Sequence, residues 1–292
     1  MTDDAAAVGR ARGDGLTRDD DGLATDPDAL ARLQEIVPAF IEEQVDDAGA
    51  DGVVIALDGE LASTVTATLA VDALGSDRVT GLVLPAYMNQ EAAARDAEAI
   101  ASVLDIEYSR VPLQPLLGAF QEVIGATAQP ADDLVAMENV AARLRMACSY
   151  YVANTTNALV VGTATRTDRF LGTLTKHADT GVDCLPLGDL YGTEVRALAD
   201  ALEIPTDLVA QSAFPAVGAG QFAGDELEIE AKAVDRILRS HVDEGLAVAS
   251  VAERVDVDAA AVERIADWYA SMRHKRRLPP TPATREGSEH PF

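Results

Sequence analysis

Short apolar runs alternate with amphipathic helical stretches between residues 28 and 163. The first run, Gly52 to Leu57, is apolar at every position, as in a parallel strand that is covered on both faces. A helical pattern precedes it from about Asp28, and another follows it to about Leu74. The alternation continues through six further predicted elements: Arg78 to Pro85, Glu91 to Leu104, Asp105 to Val111, Leu113 to Ile124, Asp132 to Asn154 and Ala158 to Thr163. Strands separated by helices in this way predict an α/β fold with a doubly wound parallel sheet.

After Leu187 the predicted elements are helices only: Asp189 to Leu202, Asp225 to Val242, Val248 to Val255 and Ala259 to Arg273. The first 27 residues are rich in Asp and Gly and lack a sustained apolar period, so we expect a flexible acidic arm there. The sequence thus predicts an arm over residues 1–27, one α/β domain over 28–282 with a helical extension at about 225–277, and a tail over 283–292.

The net charge restricts the class of partner that the chain can bind. The chain has 49 acidic and 23 basic residues and a net charge of −26, which repels polyanions and excludes nucleic acid as a general partner. Three of the basic residues are lysines: Lys176, Lys232 and Lys275. An acidic surface with few lysines is what we expect of a protein that works in molar salt, where the self-repulsion is screened.

The apolar runs are also informative about location. They are far shorter than the roughly 20 residues that a membrane span needs, so we expect no membrane partner. Residues 1–27 lack the apolar core of a secretory signal. Cys148 and Cys184 lie in apolar surroundings and form neither a disulfide framework nor a metal-binding spacing. We therefore expect a protein of the cytoplasm, from an organism that lives in high salt.

The turn after the first predicted strand is the first place to look for a ligand. In an open parallel sheet, ligands bind beyond the carboxyl ends of the strands. The turn reads Asp58-Gly59-Glu60-Leu61-Ala62-Ser63 and leads directly into a helix. A glycine turn followed by a helix N-terminus offers free N–H groups to an anion. By itself this pattern indicates an anion site only weakly.

Six segments downstream of this turn match the motifs of one known family in order and spacing. They are Asn139 to Met146, Gly162-Thr163, Gly172 to Asp179, Pro186 to Tyr191 with Thr193 and Val195, Gln221 with Asp225 to Leu227, and His274 to Arg276 before Pro279-Pro280. On these segments the chain resembles the ammonia-dependent NAD synthases, members of the ATP pyrophosphatase group, over roughly residues 30–282. The resemblance implies a Rossmann-like fold of the ATP pyrophosphatase type.

The resemblance also implies an activity and assigns residues to it. In this family ATP adenylates the nicotinate carboxylate of deamido-NAD, pyrophosphate leaves, and ammonia then displaces AMP to give NAD. ATP and Mg²⁺ are required. Matching positions imply catalysis by Lys176 and Asp179, ATP binding by Gly59, Ser63, Thr163 and Lys275, deamido-NAD binding by Asn139, Arg143 and Asp179, and metal binding by Asp168.

Several positions depart from the family's phosphate motif, Ser-Gly-Gly-x-Asp-Ser. Asp58 replaces the first Ser and offers an acceptor where a phosphate needs a donor. Glu60 replaces the second Gly and adds bulk and negative charge where the backbone approaches the ligand. Ala62 replaces the metal-binding Asp and cannot coordinate an ion. Gly192 stands where the family has a Lys, whereas Asp168, in place of a Glu, keeps a carboxylate.

Each of these residues also has a structural interpretation. Asp58 is a favourable helix N-cap, and in that role it would occupy the N–H groups that a phosphate binds. Glu60 either replaces the lost metal ligand or faces solvent on the first helical turn. Arg143 contacts either the dinucleotide or an acidic side chain of the protein. Lys176 and Asp179 are three residues apart and either contact the ligand or pair with each other.

Two functions are consistent with this sequence. One is a divergent NAD synthase of weak activity that uses Asp168 with Glu60 or Asp58 as metal ligands. The other is a non-catalytic paralogue that binds a nucleotide or pairs with an active synthase subunit. The loss of a donor, a glycine and a metal ligand from one motif favours the second function.

A third hypothesis is another enzyme of the ATP pyrophosphatase group that acts on RNA or forms guanylate. The segments Asn139 to Met146 and Gly188 to Val195 argue against it, and the charge of −26 argues against an RNA substrate. The long helix predicted over Asp132 to Asn154 carries more apolar surface than one sheet face would cover. Together with the resemblance, it predicts a homodimer or a mixed dimer with an active paralogue.

Overall fold

The computed structural model describes residues 15–125, 133–204, 229–277, 279 and 282. Four strands form the sheet: β1 (Gly52–Leu57), β2 (Val79–Val83), β3 (Glu107–Arg110) and β4 (Ala158–Val161). The helices are α1 (Pro27–Ala48), α2 (Leu61–Leu74), α3 (Glu91–Val103), α4 (Gln114–Gly125), α5 (Leu134–Thr156), α6 (Arg166–Leu171), α7 (Gly192–Ala201), α8 (Ala231–Leu238), α9 (Val248–Val255), α10 (Ala259–Ser271) and α11 (Arg273–Arg276). Short 3₁₀ turns lie at Ser76–Arg78 and Met88–Gln90, and a π-helical turn, Arg239–Asp243, follows α8.

The four strands are parallel and lie in the order β3-β2-β1-β4. Ile55 at the centre of the sheet lies opposite Gly81 on one side and Val161 on the other. The chain therefore moves outward from β1 to β3 and then returns to the other side of β1 as β4. Such a reversal opens a crevice at the carboxyl ends of β1 and β4, the strands between which the order reverses. The predicted α/β fold with a doubly wound parallel sheet is confirmed.

Both faces of the sheet are covered by helices. Ile55 packs into a cluster with α1, α2 and α3, whereas its neighbour Val54 packs on the opposite face with α4 and α5. Strands that are buried on both faces must be apolar at consecutive positions, which explains the uninterrupted run at β1. Helix α2 lies between the sheet and α1, and Val65 and Leu69 in it are fully buried.

The C-terminal helices form a second cluster around Ile237 and Val262. Leu23, from the predicted N-terminal arm, is fully buried in this cluster. Asp21 forms ion pairs with Lys232 at 2.7 Å and with the Nε of Arg236 at 2.8 Å. The folded part of the chain therefore begins ahead of residue 28. Among the described residues, no helix combines the length and the apolar character that crossing a membrane requires.

The ends of some elements differ from the predictions. Helix α7 begins at Gly192 and not at Asp189, because Glu194 accepts a hydrogen bond from the Tyr191 N–H and fixes the helix start there. The helix predicted over Asp225 to Val242 is present as α8 and its π-helical continuation. Residues 1–14, 205–228 and 283–292 lie outside the described residues, and so do the matched positions Gln221 and Asp225 to Leu227.

Candidate functional site

A cleft of about 450 Å³ opens at the carboxyl ends of β1, β2 and β4. Its lining comes from the strand ends, the turns after them, α5 and the segment after α6. The lining residues that carry the argument are Asp58, Glu60, Arg145, Thr163, Asp168 and Asp179. Three of these, Thr163, Asp168 and Asp179, are among the residues that the resemblance assigned to the site. The topology thus places the cleft where the sequence predicted a ligand.

In the turn between β1 and α2, the Asp58 carboxylate occupies hydrogen-bond donors that could bind an anion. Asp58 Oδ1 accepts hydrogen bonds from the Glu60 N–H at 2.9 Å and from the Ser63 hydroxyl at 2.6 Å. Gly59 has φ of +80°, and a Cβ there would lie 2.4 Å from the Ala93 carbonyl oxygen, so only glycine fits. The backbone donor and the hydroxyl that could face an anion are therefore already bonded to a carboxylate.

The role predicted for Asp58 needs a correction. The N-cap of α2 is Glu60, and the Glu60 side chain makes no capping hydrogen bond. Asp58 lies two positions before the N-cap and accepts from the N–H of the N-cap residue itself, because the glycine at residue 59 turns the chain before the helix begins. The predicted interpretation as an N-cap was wrong, although the carboxylate does occupy a donor at the start of the helix.

Glu60 lies between two other carboxylates. Its side chain lines the cleft and a neighbouring cavity, and it is exposed. Burial within the cleft, together with the charges of Asp58 and Asp168, raises the pKa of Glu60 to about 7. The carboxylate thus stands at the N-cap position, one residue before the first helical turn, and it is exposed at the mouth of the cleft, in agreement with the prediction of a solvent-facing side chain.

We expect Glu60→Gln to stabilise the protein above neutral pH. The folded-state pKa lies above the ordinary value, so the folded protein retains a proton that the unfolded chain releases. The free energy of unfolding of the wild type therefore falls as the pH rises from about 4.5 to about 7, and the variant lacks this loss. The expected gain at about pH 8 is below about 1 kcal/mol, because the side chain is exposed and screened.

Urea unfolding of both proteins at about pH 5 and about pH 8 measures this effect. The matched control is Glu42→Gln on the exposed side of α1. An equal difference between Glu60→Gln and wild type at the two pH values would contradict a raised pKa.

Asp168 serves as a structural residue of α6. Its Oδ2 accepts from the Thr165 N–H at 2.9 Å and from the Thr165 hydroxyl at 2.6 Å, as the third residue of a capping box. Its Oδ1 accepts from the Thr173 hydroxyl at 3.1 Å. Both oxygens that could coordinate an ion are thus already hydrogen-bonded.

The residues of the cleft do not fit the Mg²⁺ ion that the family requires. Mg²⁺ binds an octahedral set of oxygens, with carboxylates as the usual protein ligands. Ala62 presents a methyl group where the family's motif has an Asp, and Asp168 is committed to Thr165 and Thr173. Within the described ranges, no three His, Cys, Asp or Glu side chains come together as a metal site.

The two lysines of the matched motifs point to backbone carbonyls. Lys176 Nζ donates to the His274 carbonyl at 2.8 Å, and Lys275 Nζ donates to the Gly172 carbonyl at 2.5 Å. Burial lowers the pKa of Lys275. These reciprocal bonds join α11 to the segment that follows α6. Lys176 and Asp179 therefore do not form the ion pair that their spacing permits.

Asp179 lies at the edge of the cleft. Its Oδ2 accepts from the Thr175 N–H at 2.6 Å. Burial raises its pKa, an effect that the Thr175 hydrogen bond and the positive charge of Arg145 oppose. Among the described lining residues of the cleft, Arg145 alone is basic.

Sequence reasoning missed the role of Gln90. Its Oε1 accepts from the Ala86 N–H at 2.8 Å and from Arg145 Nη2 at 3.1 Å, while Arg145 Nε donates to the Leu84 carbonyl at 3.0 Å. Gln90 thereby closes the turn after β2 and fixes the guanidinium in the cleft wall. The signal available in the sequence was the position of Arg145 two residues after Arg143 on α5, where the two side chains must point in different directions.

Asn139 and Arg143 lie outside the cleft lining. Arg143 Nη2 donates to the Lys176 carbonyl at 3.2 Å and Nη1 to the Asn139 carbonyl at 3.4 Å. Asn139 Nδ2 donates to the Val135 carbonyl at 2.9 Å. Within the described ranges Arg143 forms no ion pair with an acidic side chain, because its partners there are carbonyl groups; contact with the dinucleotide stays a prediction. Arg143 thus contacts the Gly172 to Asp179 segment, whereas the Asn139 amide bonds within α5.

A second cavity of about 410 Å³ lies between α2, α6, α7 and α8 and shares Glu60 and Asp168 with the cleft. Gly192, at the position of the family's Lys, lines it. Its far wall contains buried Asp235, which accepts from the hydroxyls of Thr167 and Thr193 at 2.6 Å each. No basic side chain stands at residue 192 to face a phosphate group.

Comparison with known proteins places these features in a family. The sequence model of NAD synthases matches residues 33–279. An NH(3)-dependent NAD(+) synthetase of Halobacterium salinarum is 38% identical over 253 residues, which cover 87% of this chain and 93% of that protein.

Solved structures agree on the fold. An NMN synthetase of Francisella tularensis is 30% identical with a TM-score of 0.73, over 87% of this chain and 98% of that one. An NH3-dependent NAD synthetase of Campylobacter jejuni, in complex with the nitrate ion, is 24% identical with a TM-score of 0.72 over the same shares, and shows the fold alone. From the family match and the relatives together, the chain belongs to the NAD synthase family.

Proposed function

We propose that this protein retains the dinucleotide side of a NAD synthase and has lost the step that uses ATP. The observation that carries the proposal is the occupied turn after β1, where Asp58 accepts from the Glu60 N–H and the Ser63 hydroxyl. A phosphate would have to displace a carboxylate from these donors. The protein is then a nucleotide-binding paralogue of NAD synthase without the ligase activity.

Electrostatics supports the same conclusion. A carboxylate about 4 Å from a phosphate oxygen opposes binding by roughly 1 to 4 kcal/mol at realistic effective dielectrics. Asp58 and Glu60 supply two such charges at one turn, and Gly192 offers no compensating cation. Lys176 and Lys275 donate to backbone carbonyls, and Arg145, the basic residue of the described cleft lining, donates to the Leu84 carbonyl and to Gln90. The charges around this turn therefore disfavour the binding of a triphosphate.

The residues that match the family's dinucleotide-binding motifs have changed less than those of the phosphate motif. Asn139, Arg143 and Asp179 retain the residue types of the family's motifs, and by that resemblance they take deamido-NAD. Arg143 bonds to the Lys176 carbonyl, which places its guanidinium against the segment that carries Asp179. A dinucleotide site built by α5 and this segment is therefore compatible with a blocked phosphate turn.

Calorimetric titration in molar KCl with Mg²⁺ tests the proposal. ATP and deamido-NAD are titrated separately, and NAD formation from both with ammonia is assayed in the same buffer. Binding of deamido-NAD without measurable ATP binding and without NAD formation is the expected result. Tight ATP binding with NAD formation would overturn the proposal in favour of a divergent enzyme that uses Asp168 with Glu60 or Asp58 as metal ligands.

We further propose that the protein is a dimer, either with itself or with an active paralogue. Helices α4 and α5 expose large apolar side chains: Leu116, Val123, Leu134 and Tyr151. Leu134 and Tyr151 are 77% and 72% exposed, and a partner subunit would remove this apolar surface from water. Light scattering in molar KCl is expected to give twice the chain mass, and a clean monomer would contradict the homodimer.

We also propose that the protein works in high salt. The surface carries a net charge of −26, whose self-repulsion is screened only at high ionic strength. The melting temperature is expected to rise by roughly 5 °C or more between dilute buffer and molar KCl, which for a chain of this size corresponds to about 2 kcal/mol. A melting temperature that is independent of salt would refute this proposal.

A further inference from the structure

We propose that the cleft binds a nucleoside that carries no phosphate, and that Asp58 and Glu60 are the residues that select against its phosphorylated forms. The inference rests on the proposed loss of ATP use, and it assigns a ligand class to the cleft that ATP would have occupied. The argument uses the walls of the cleft, its charges and its hydrogen-bonding groups.

Part of the cleft wall is apolar and can pack against the ring of a base. The cleft volume of about 450 Å³ falls in the range of small-molecule sites. The apolar part of the lining includes Leu84, Ala142, Met146, Val160 and Val182. These residues come from the position after β2, from α5 and β4, and from the segment before Cys184, so the ring would lie at the carboxyl ends of the strands.

The polar groups of the cleft are predominantly acceptors. Four carboxylates line it, those of Asp58, Glu60, Asp168 and Asp179, against the single guanidinium of Arg145. A phosphate brings acceptors only and meets like charges. The hydroxyls of a ribose and the amino group of a base are donors, which carboxylates accept.

The donors that a phosphate needs are already bonded. Asp58 accepts hydrogen bonds from the Glu60 N–H and the Ser63 hydroxyl. Arg145 donates to the Leu84 carbonyl and to Gln90 Oε1. A nucleoside leaves all of these bonds in place, whereas its 5′-phosphate must break some of them. The cleft therefore offers hydrogen-bond acceptors to the sugar hydroxyls and repels the charge of a 5′-phosphate. A site distinguishes two similar ligands by such a combination of attraction to one and repulsion of the other.

Two matched pairs of probes test the inference on the full chain. Adenosine is compared with AMP, and nicotinamide riboside with its 5′-phosphate, by calorimetry at about pH 8 in molar KCl, where Glu60 is ionised. At least one nucleoside is expected to bind about tenfold or more tightly than its own 5′-phosphate. In the variant Asp58→Asn with Glu60→Gln, that ratio is expected to fall about tenfold.

The control variant, Glu42→Gln with Asp47→Asn, removes the same charge from the exposed side of α1 and should keep the wild-type ratio. If the double variant of the turn does not fold, Glu60→Gln alone is used, with a smaller fall expected. Absence of binding by both nucleosides, or a phosphate that binds equally well or better, would overturn the inference. Lack of nucleoside binding leaves the proposed loss of ATP use standing, whereas tight ATP binding refutes both.

Discussion

The triple variant Asp58→Ser, Glu60→Gly, Ala62→Asp is expected to bind Mg²⁺-ATP at least about 30-fold more tightly than the wild type. The three changes free the backbone N–H of residue 60 and the Ser63 hydroxyl, remove two carboxylates from the turn, and supply a metal ligand. Removing the two charges alone is worth roughly 2 kcal/mol at the lower end of the range for carboxylate and phosphate about 4 Å apart. Each 1.4 kcal/mol corresponds to about tenfold in affinity.

Calorimetry with Mg²⁺-ATP in molar KCl measures the gain. The control is Glu42→Gln, which makes the same net change of charge on the exposed side of α1 and should leave ATP affinity at the wild-type level. A triple variant that folds, as judged by circular dichroism, and still fails to bind ATP would show that the turn is not what excludes it. The missing cation at Gly192 would then be the cause to examine.

The architecture could be predicted because its signal is local. A parallel strand that is covered on both faces must be apolar at each position, and the run from Gly52 to Leu57 coincides with β1 residue for residue. The ends of helices that are set by tertiary contacts could not be predicted from the sequence. Helix α7 starts at Gly192 because Glu194 reaches back to the Tyr191 N–H and also accepts from Ala24, which is 170 residues away.

The location of the site could be predicted, and its internal bonding could not. The turn after β1 follows from strand order and the glycine at residue 59, whose φ of +80° no other residue would adopt easily. The hydrogen bonds that occupy the site join distant parts of the chain. Lys176 and His274 are 98 residues apart, and no local pattern indicates that the ammonium donates to a carbonyl and not to a ligand.

The hydrogen bonds of Asp58 also could not be predicted, although their partners are close in the sequence. Its side chain was expected to cap α2, and the residue type alone favours that role. The structure instead places Glu60 at the N-cap, and the Asp58 carboxylate bonds to the Ser63 hydroxyl five residues later. The bond depends on the backbone rotation at Gly59, which residue preferences do not specify. The consequence for function is nevertheless the same, because the anion-binding donors are filled.

Asp235→Ala is expected to destabilise the fold by about 3 kcal/mol. Asp235 is 2% exposed and accepts from the Thr167 hydroxyl at 2.6 Å, the Thr193 N–H at 2.8 Å and the Thr193 hydroxyl at 2.6 Å. Truncation leaves these buried donors without an acceptor, and each unsatisfied donor costs about 1 to 3 kcal/mol before relaxation. The carboxylate joins α6, α7 and α8, so its loss separates the three helices that enclose the second cavity.

The pH dependence distinguishes this mechanism from a simple packing loss. Burial raises the pKa of Asp235 to about 6, against the opposing effect of its hydrogen bonds to Thr167 and Thr193. The folded wild type therefore keeps a proton that the unfolded chain has released, and it loses stability as the pH rises from about 4 to about 6. The variant lacks this loss, so the difference in free energy of unfolding should be larger at about pH 4 than at about pH 8.

Urea unfolding in molar KCl at the two pH values measures both effects. Asp267→Ala, at an exposed position of α10, is the matched control and should change the free energy of unfolding by less than about 0.5 kcal/mol. Asp235→Asn retains one acceptor oxygen and should lie between wild type and Asp235→Ala. A deficit below about 1 kcal/mol for Asp235→Ala would mean that water replaces the carboxylate, and that the helices around the second cavity are held by apolar packing alone.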